Sequence, residues 1–219
     1  TADEKKVSPW EIENSFYFKT NPNRIAKIIS HFEIFKKTVN VKGSIIECGV
    51  FKGNSLNRFI IFRDLLLGGL KKKVYGFDVF GKFPSQKIKR DDNFAKKHDK
   101  HIGLGIDYKK LKKNFQKKGF KNFFLIKGSI EKTLVQFLKN NKNIKISFLH
   151  LDLDVYRPTF FALTALYDRV SKGGIILLDD YGKIHGATKA TKDFFKSRDI
   201  KYKILSTKFD KKLKLIIKK

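Results

Sequence analysis

Two apolar runs that each end on a pair of acids constrain this chain most. Ser147-Phe148-Leu149-His150-Leu151-Asp152-Leu153-Asp154 stops on two carboxylates one residue apart, and Gly174-Ile175-Ile176-Leu177-Leu178-Asp179-Asp180 stops on two in succession. Short apolar runs bounded by turn residues read as buried strands. The C-terminal edge of such strands is where an open α/β sheet places its ligands. Four carboxylates converging there repel one another unless protonation or a hard, oxygen-binding cation relieves them. Turn formation or helix capping accounts for a single Asp past a strand. Two acid pairs on separate strands point instead to a metal site.

The rest of the chain repeats strand, turn and helix. Asn21-Pro22 supplies an N-cap and a first-turn proline, and Ile25, Ile28, Ile29, Phe32 and Phe35 follow at helical spacing, which predicts a helix over 22–38. Ser44 to Val50 reads as a strand, Gly49-Val50-Phe51-Lys52-Gly53-Asn54-Ser55 as a glycine turn, and Leu56, Phe59, Ile60 and Leu66 as a helix face. Such a turn is either a plain βα connection or a cradle that lets the backbone and a helix N-terminus approach a cofactor. Lys73 to Phe80 is a second strand carrying Asp78. An acid there can accept both ribose hydroxyls of an adenosine-containing cofactor, or simply form a turn. Phe123 to Ser129 gives a third strand, Ile130 to Leu138 a short helix, and Tyr156-Arg157-Pro158-Thr159 opens a further helix stopped by Gly173-Gly174. A helix over 187–198 and a hairpin of Tyr202–Thr207 with Leu213–Lys218 complete the chain. Five βα units closed by a hairpin predict an α/β fold: a single-domain, doubly wound, Rossmann-like class I methyltransferase sheet, mostly parallel with a C-terminal antiparallel hairpin. The predicted organisation is an N-terminal helical segment over 1–40 and a methyltransferase domain over 41–219.

Residues 81–121 interrupt the repeat and are long for a connection in a compact α/β unit. Lys82 to Lys118 holds thirteen Lys or Arg against four Asp. Asp107 through Gly119 predicts a helix, and the first half a mobile basic cap that favours an anionic substrate; His98 and His101 read as surface residues. The formal net charge is +28, which attracts nucleic acid, acidic lipid or phosphorylated substrates. The excess is dispersed lysine without an Arg-rich or aromatic-interleaved motif, so the reading is a generally basic surface with no specific nucleic-acid partner. No run approaches a membrane span, and Thr1-Ala2-Asp3-Glu4-Lys5-Lys6 lacks the apolar core of a signal peptide, so a cytoplasmic protein is expected. The single cysteine, Cys48, excludes an internal disulfide and a Cys-rich zinc site and reads as a small strand residue. Residues 1–20 show no clear periodicity, but Trp10, Phe16, Tyr17 and Phe18 are costly to leave in water. They are expected to pack on the domain or on a partner, a second copy of the chain among the open readings.

Glu47-Cys48-Gly49-Val50-Phe51-Lys52-Gly53, Gly76 through Pro84, His150-Leu151-Asp152-Leu153-Asp154-Val155-Tyr156, and Gly173-Gly174 followed by Asp179-Asp180-Tyr181-Gly182 together resemble the macrocin O-methyltransferase family. The resemblance covers most of residues 40–195 and implies an enzyme that methylates sugar hydroxyls with S-adenosylmethionine and Mg2+. Carried over residue by residue, it implies that Glu47, Gly49, Gly53 and Ser55 shape the methionine and ribose end of the cofactor site. Asp78 would hold the ribose, and Ser129 and Ile130 would lie by the adenine. Asp152 would adjoin the cofactor and, with Asp179 and Asp180, bind magnesium, leaving Asp154 as general base. The implied partner is a small-molecule acceptor, a sugar or glycosylated metabolite. Phe51-Lys52 stands where the family usually has Trp-Arg, an acid is missing near Gly81-Lys82, and Lys192 stands where the family tends to an acid. These departures bear on the acceptor more than on the chemistry. A nucleic-acid methyltransferase, suggested by charge alone, and a non-catalytic S-adenosylmethionine-binding protein are the alternative readings.

Overall fold

A computed structural model describes residues 7–219; the opening residues 1–6, read above for signal-peptide character, lie outside the described residues. Strands β1 (Ser44–Cys48), β2 (Val74–Asp78), β3 (Phe123–Lys127), β4 (Ile146–Leu151) and β5 (Val170–Leu178) alternate with helices α3 (Asn54–Leu67), α4 (Lys89–His101), α5 (Tyr108–Lys117), α6 (Ile130–Asn140), α7 (Tyr156–Leu166) and α8 (His185–Ser197). Two N-terminal helices, α1 (Pro9–Lys19) and α2 (Pro22–Lys36), precede them, and β6 (Leu205–Ser206) and β7 (Lys214–Ile217) follow. The seven strands lie in the order β3-β2-β1-β4-β5-β7-β6, with β7 antiparallel to both neighbours. The first five strands are parallel, and the register sets Cys48 beside Phe77 and Leu151, and Leu151 beside Leu178. One sheet edge therefore collects the C-terminal tips of β2, β1, β4 and β5.

Strand alternation divides the core between the two faces. Ile46, Cys48, Leu149 and Leu178 pack under α6, α7 and α8, whereas Ile45, Phe148, Ile175 and Leu177 pack under α2, α3 and α5. Both faces of these strands are buried, which is why the runs are continuously apolar rather than alternating.

Arg63 is the largest fully buried side chain, and it ties the lower loops together. Its guanidinium donates to the carbonyls of Lys72, Asn122 and Lys121 at 3.1, 3.2 and 2.8 Å and pairs with Asp64 at 2.7 Å. An apolar replacement leaves three carbonyls without their donor. Arg63→Leu is expected to lower the free energy of unfolding by about 3–5 kcal/mol, measured by urea denaturation; a loss under about 1 kcal/mol would show the carbonyls finding water instead.

Residues 9–19, without clear periodicity but inside the expected N-terminal helical segment, form a helix whose N-cap Ser8 accepts from Glu11 N while Glu11 bonds back to Ser8 N. None of its residues is buried, so Trp10 (77% exposed) and Phe18 (87%) do not pack on the domain. In the insertion, the first half, read as a mobile basic cap, contains α4, and each acid of the insertion meets a backbone N–H. Asp91 accepts from Tyr156 N, Asp92 from Gln86 N, Asp99 from Phe83 N, and Asp107 caps α5 by accepting from Lys110 N. No described helix is long and apolar enough to cross a membrane.

Candidate active site

The C-terminal edge opens into a cleft of about 680 Å³ walled by the loops after β1 to β5. Gly49, at the tip of β1, has φ +92°, and a Cβ there would stand 1.7 Å from the carbonyl oxygen of Asp152. The tips of β1 and β4 approach this closely because glycine has no side chain. Next to it, the Asp78 carboxylate accepts from Val50 N (2.8 Å), Phe51 N (2.9 Å) and Phe80 N (2.6 Å). These bonds use three of about four acceptor positions of the carboxylate and leave one toward the cleft for a hydroxyl. Gly53 caps α3 with φ +83°, a backbone angle that itself favours glycine, and a Cβ there would also meet the Leu111 side chain of α5 at 2.6 Å. Ser129 and Ile130 line the cleft at the start of α6.

Asp152, Asp154 and Asp180 each bring a carboxylate oxygen within 4.8 Å of the others. Strand alternation does not carry Asp154 there, because β4 ends at Leu151. A left-handed residue does: Asp154 has φ +62°, and its N–H donates to Asp180 Oδ2 at 3.0 Å. Asp is among the few non-glycine residues at ease in that region. Burial, then the charges of Asp179 and Asp180, push the Asp152 carboxyl well above the usual range. Burial, Asp154 and Asp179 do the same to Asp180, and burial with Asp152 pushes Asp154 up to about 7. Burial and mutual repulsion thus both act against ionising the three together.

Asp179 also lines the cleft, with basic groups at both its oxygens. Lys27 from α2 pairs with its Oδ1 at 2.7 Å and Lys183 with its Oδ2 at 3.2 Å, while His150 Nε2 stands 3.8 Å from Oδ1. Burial opposes its charge, but His150 and Lys27 outweigh burial and hold its carboxyl well below the usual range. Of the expected metal set, Asp152 and Asp180 lie within 4.8 Å of each other and of Asp154, while Asp179 lies within that distance of His31 and His150.

Beneath the cleft, fully buried His150 points Nδ1 at Glu47 Oε1 (3.1 Å), which also accepts from Ser55 Oγ. Burial acts to lower the His150 pKa, yet Asp179 and Glu47 raise it to about 10, the ring lying between the two carboxylates. Glu47 and Ser55 support the cleft floor and do not line it. His98, expected at the surface, lines the cleft with its ring 5.1 Å from Phe51 and 5.7 Å from Phe83; His101 is exposed. Sequence reasoning assigned no role to Lys27, His150 or Lys183. A histidine inside an otherwise apolar strand was the one available signal.

Residues 22–211 match the family described as Macrocin-O-methyltransferase (TylF). The chain belongs to that family. Demethyldecarbamoylnovobiocin O-methyltransferase of Streptomyces niveus is 26% identical over 153 residues, 65% of this chain and 54% of that protein. 8-Demethyl-8-(2,3-dimethoxy-alpha-L-rhamnosyl)-tetracenomycin-C 4'-O-methyltransferase of Streptomyces olivaceus is 27% identical over 150 residues, 64% of this chain and 54% of that protein. The chain spans about half the length of these curated relatives. Among solved structures, the O-methyltransferase NovP superposes with a TM-score of 0.73 at 21% identity, covering 89% of this chain and 80% of its own. The calicheamicin methyltransferase CalS11 gives 0.71 at 18%, covering 98% and 87%. These likenesses establish the Rossmann-like methyltransferase fold.

Within this member of the family, Phe51-Lys52 joins two parts of the cleft wall. The Lys52 ammonium lies 5.0 Å from the Phe51 ring centroid and donates to the Ile102 carbonyl at 3.1 Å. The substituted pair thereby fastens the end of α4 to the β1 loop.

Proposed function

We propose that this chain transfers a methyl group from S-adenosylmethionine to a hydroxyl of a sugar or glycosylated small molecule, with a divalent cation, magnesium by preference, at the acid cluster. One observation carries the reading: Asp152, Asp154 and Asp180 converge in the same cleft as Gly49, Asp78, Ser129 and Ile130. The donor set is oxygen only, which suits a hard cation. Their mutual approach is a second sign of fit, because three carboxylates at this range, one buried and two half-buried, repel one another when ionised.

Asp152 and Asp180 would hold the cation, which supplies Lewis-acid stabilisation to a hydroxyl losing its proton. Asp154, with a carboxylate oxygen within 4.8 Å of Asp152 and Asp180, would stand close enough to accept that proton. Asp78 offers its remaining acceptor position to a ribose hydroxyl, while Gly49 permits close approach of the cofactor to the backbone. Phe51, Phe83 and His98 form an aromatic wall on the cleft, which excludes water from the reacting oxygen. Fixing donor and acceptor side by side supplies much of the remaining rate.

Purified protein incubated with S-adenosylmethionine, Mg2+ and a panel of sugars and glycosides is expected to give products one methyl group heavier by mass spectrometry. Excess EDTA should stop turnover and added Mg2+ restore it. Full activity in EDTA removes the cation from the reaction; binding of S-adenosylhomocysteine without product from any hydroxylated acceptor removes the methyl transfer.

A further inference from the structure

We infer that Lys27 and a divalent cation compete for Asp179, so that the cation-free protein ties helix α2 to the sheet edge and cation binding unties it. The inference rests on the cation reading above and concerns how this chain's own residues answer to the ion. Asp179 is the immediate chain neighbour of Asp180, and its N–H donates to the Leu151 carbonyl (3.0 Å), one residue before Asp152. Its carboxylate is therefore next to the acid cluster, with Lys27 Nζ on Oδ1 at 2.7 Å. A divalent ion among Asp152, Asp154 and Asp180 attracts Asp179 and repels the Lys27 ammonium, and both act over a short path through buried surroundings. Two cations beside one oxygen repel each other, so the binding of either weakens the other's hold on Asp179.

The other positive groups facing Asp179 do not compete in the same way. His150 is held from behind by Glu47 at 3.1 Å, and Lys183 contacts Oδ2 from the loop after β5. Lys27 alone comes from α2, where it sits one turn before His31. His31, Ile34 and Phe35 are buried and keep the second half of α2 in place. Residues 22–24 are exposed and residues 25–28 half-buried. Among the described residues, Lys27–Asp179 is the ion pair joining this first half to the sheet.

Mn2+ is the probe, with binding followed by electron paramagnetic resonance and calorimetry, no acceptor present. Lys27→Met is expected to bind Mn2+ about tenfold more tightly than the wild type, and Asp179→Asn in the same chain to cancel that gain. Mn2+ should also speed amide hydrogen exchange in residues 22–29 of the wild type, whereas in Lys27→Met exchange there should be fast with or without the ion. Lys27→Gln, which keeps a polar end, should show the same gain and covers the case in which the methionine variant folds poorly. Equal affinities in wild type and variants, or a gain that survives Asp179→Asn, overturns the competition while leaving the cation site intact. Absence of Mn2+ binding in every protein overturns the cation reading and this inference together.

Discussion

Asp152→Ala is expected to cut methyl transfer by about a thousandfold or more while S-adenosylhomocysteine binding stays within about fivefold, since only one polar contact is removed from a multi-contact site. The carboxylate belongs to the acid cluster, and its charge acts on Asp154, Arg58, His150 and Lys183. Its removal should nonetheless stabilise the cation-free protein. Burial and the charges of Asp179 and Asp180 act against the Asp152 carboxylate, so its loss relieves repulsion, and a gain on the order of 1 kcal/mol is expected by urea denaturation in EDTA. The backbone of residue 152 carries the strand contact, Asp152 N to Cys48 O at 2.9 Å, and the substitution leaves it in place. Lost turnover with gained stability is the signature of an acid kept for chemistry. Lost turnover with lost stability would instead make Asp152 a structural residue and weaken the proposed reaction.

The sheet was legible because burial on both faces writes itself into continuous apolar runs, and because Pro22, Gly53 and Gly173 punctuate them. The acids at the tips of β4 and β5 were legible for the same reason, as charges ending such runs. Which carboxylates meet was not. Asp154 joins the cluster through a left-handed backbone angle, a property no strand periodicity encodes, and Asp179 is paired with Lys27, which lies on a helix 152 residues earlier (179 − 27). Such orientation is decided by tertiary charge pairing, so the local sequence carries no sign of it. In the insertion, thirteen bases obscured four acids, each of which accepts from a backbone N–H. At 9–19 the capping box of Ser8 and Glu11 is visible in the sequence, whereas the exposure of Trp10 and Phe18 is not.

Gly49→Ala is expected to be the most damaging of the glycine substitutions, costing at least about 3 kcal/mol of stability and abolishing cofactor binding in whatever folds. Two separate penalties combine at this position. The backbone angle of +92° is unfavourable for any residue with a Cβ, and the added carbon would stand 1.7 Å from the Asp152 carbonyl oxygen. Relief by movement is blocked, since Gly49 N donates to Phe77 O and Asp152 N to Cys48 O, both at 2.9 Å, locking β1 to its neighbours on either side. Gly119→Ala isolates the first penalty. Its φ is +72° and nothing lies within 4 Å of the added carbon, so about 1 kcal/mol is expected there. Gly53→Ala falls between, because the atom it meets at 2.6 Å is the end of the Leu111 side chain, which can rotate away. Urea denaturation of the three variants should therefore rank them 49, 53, 119 in order of damage. A Gly49 variant no worse than Gly119 would mean that β1 and β4 part readily at their tips, and the acid cluster would then lack the rigid floor on which its placement beside the cofactor loop depends.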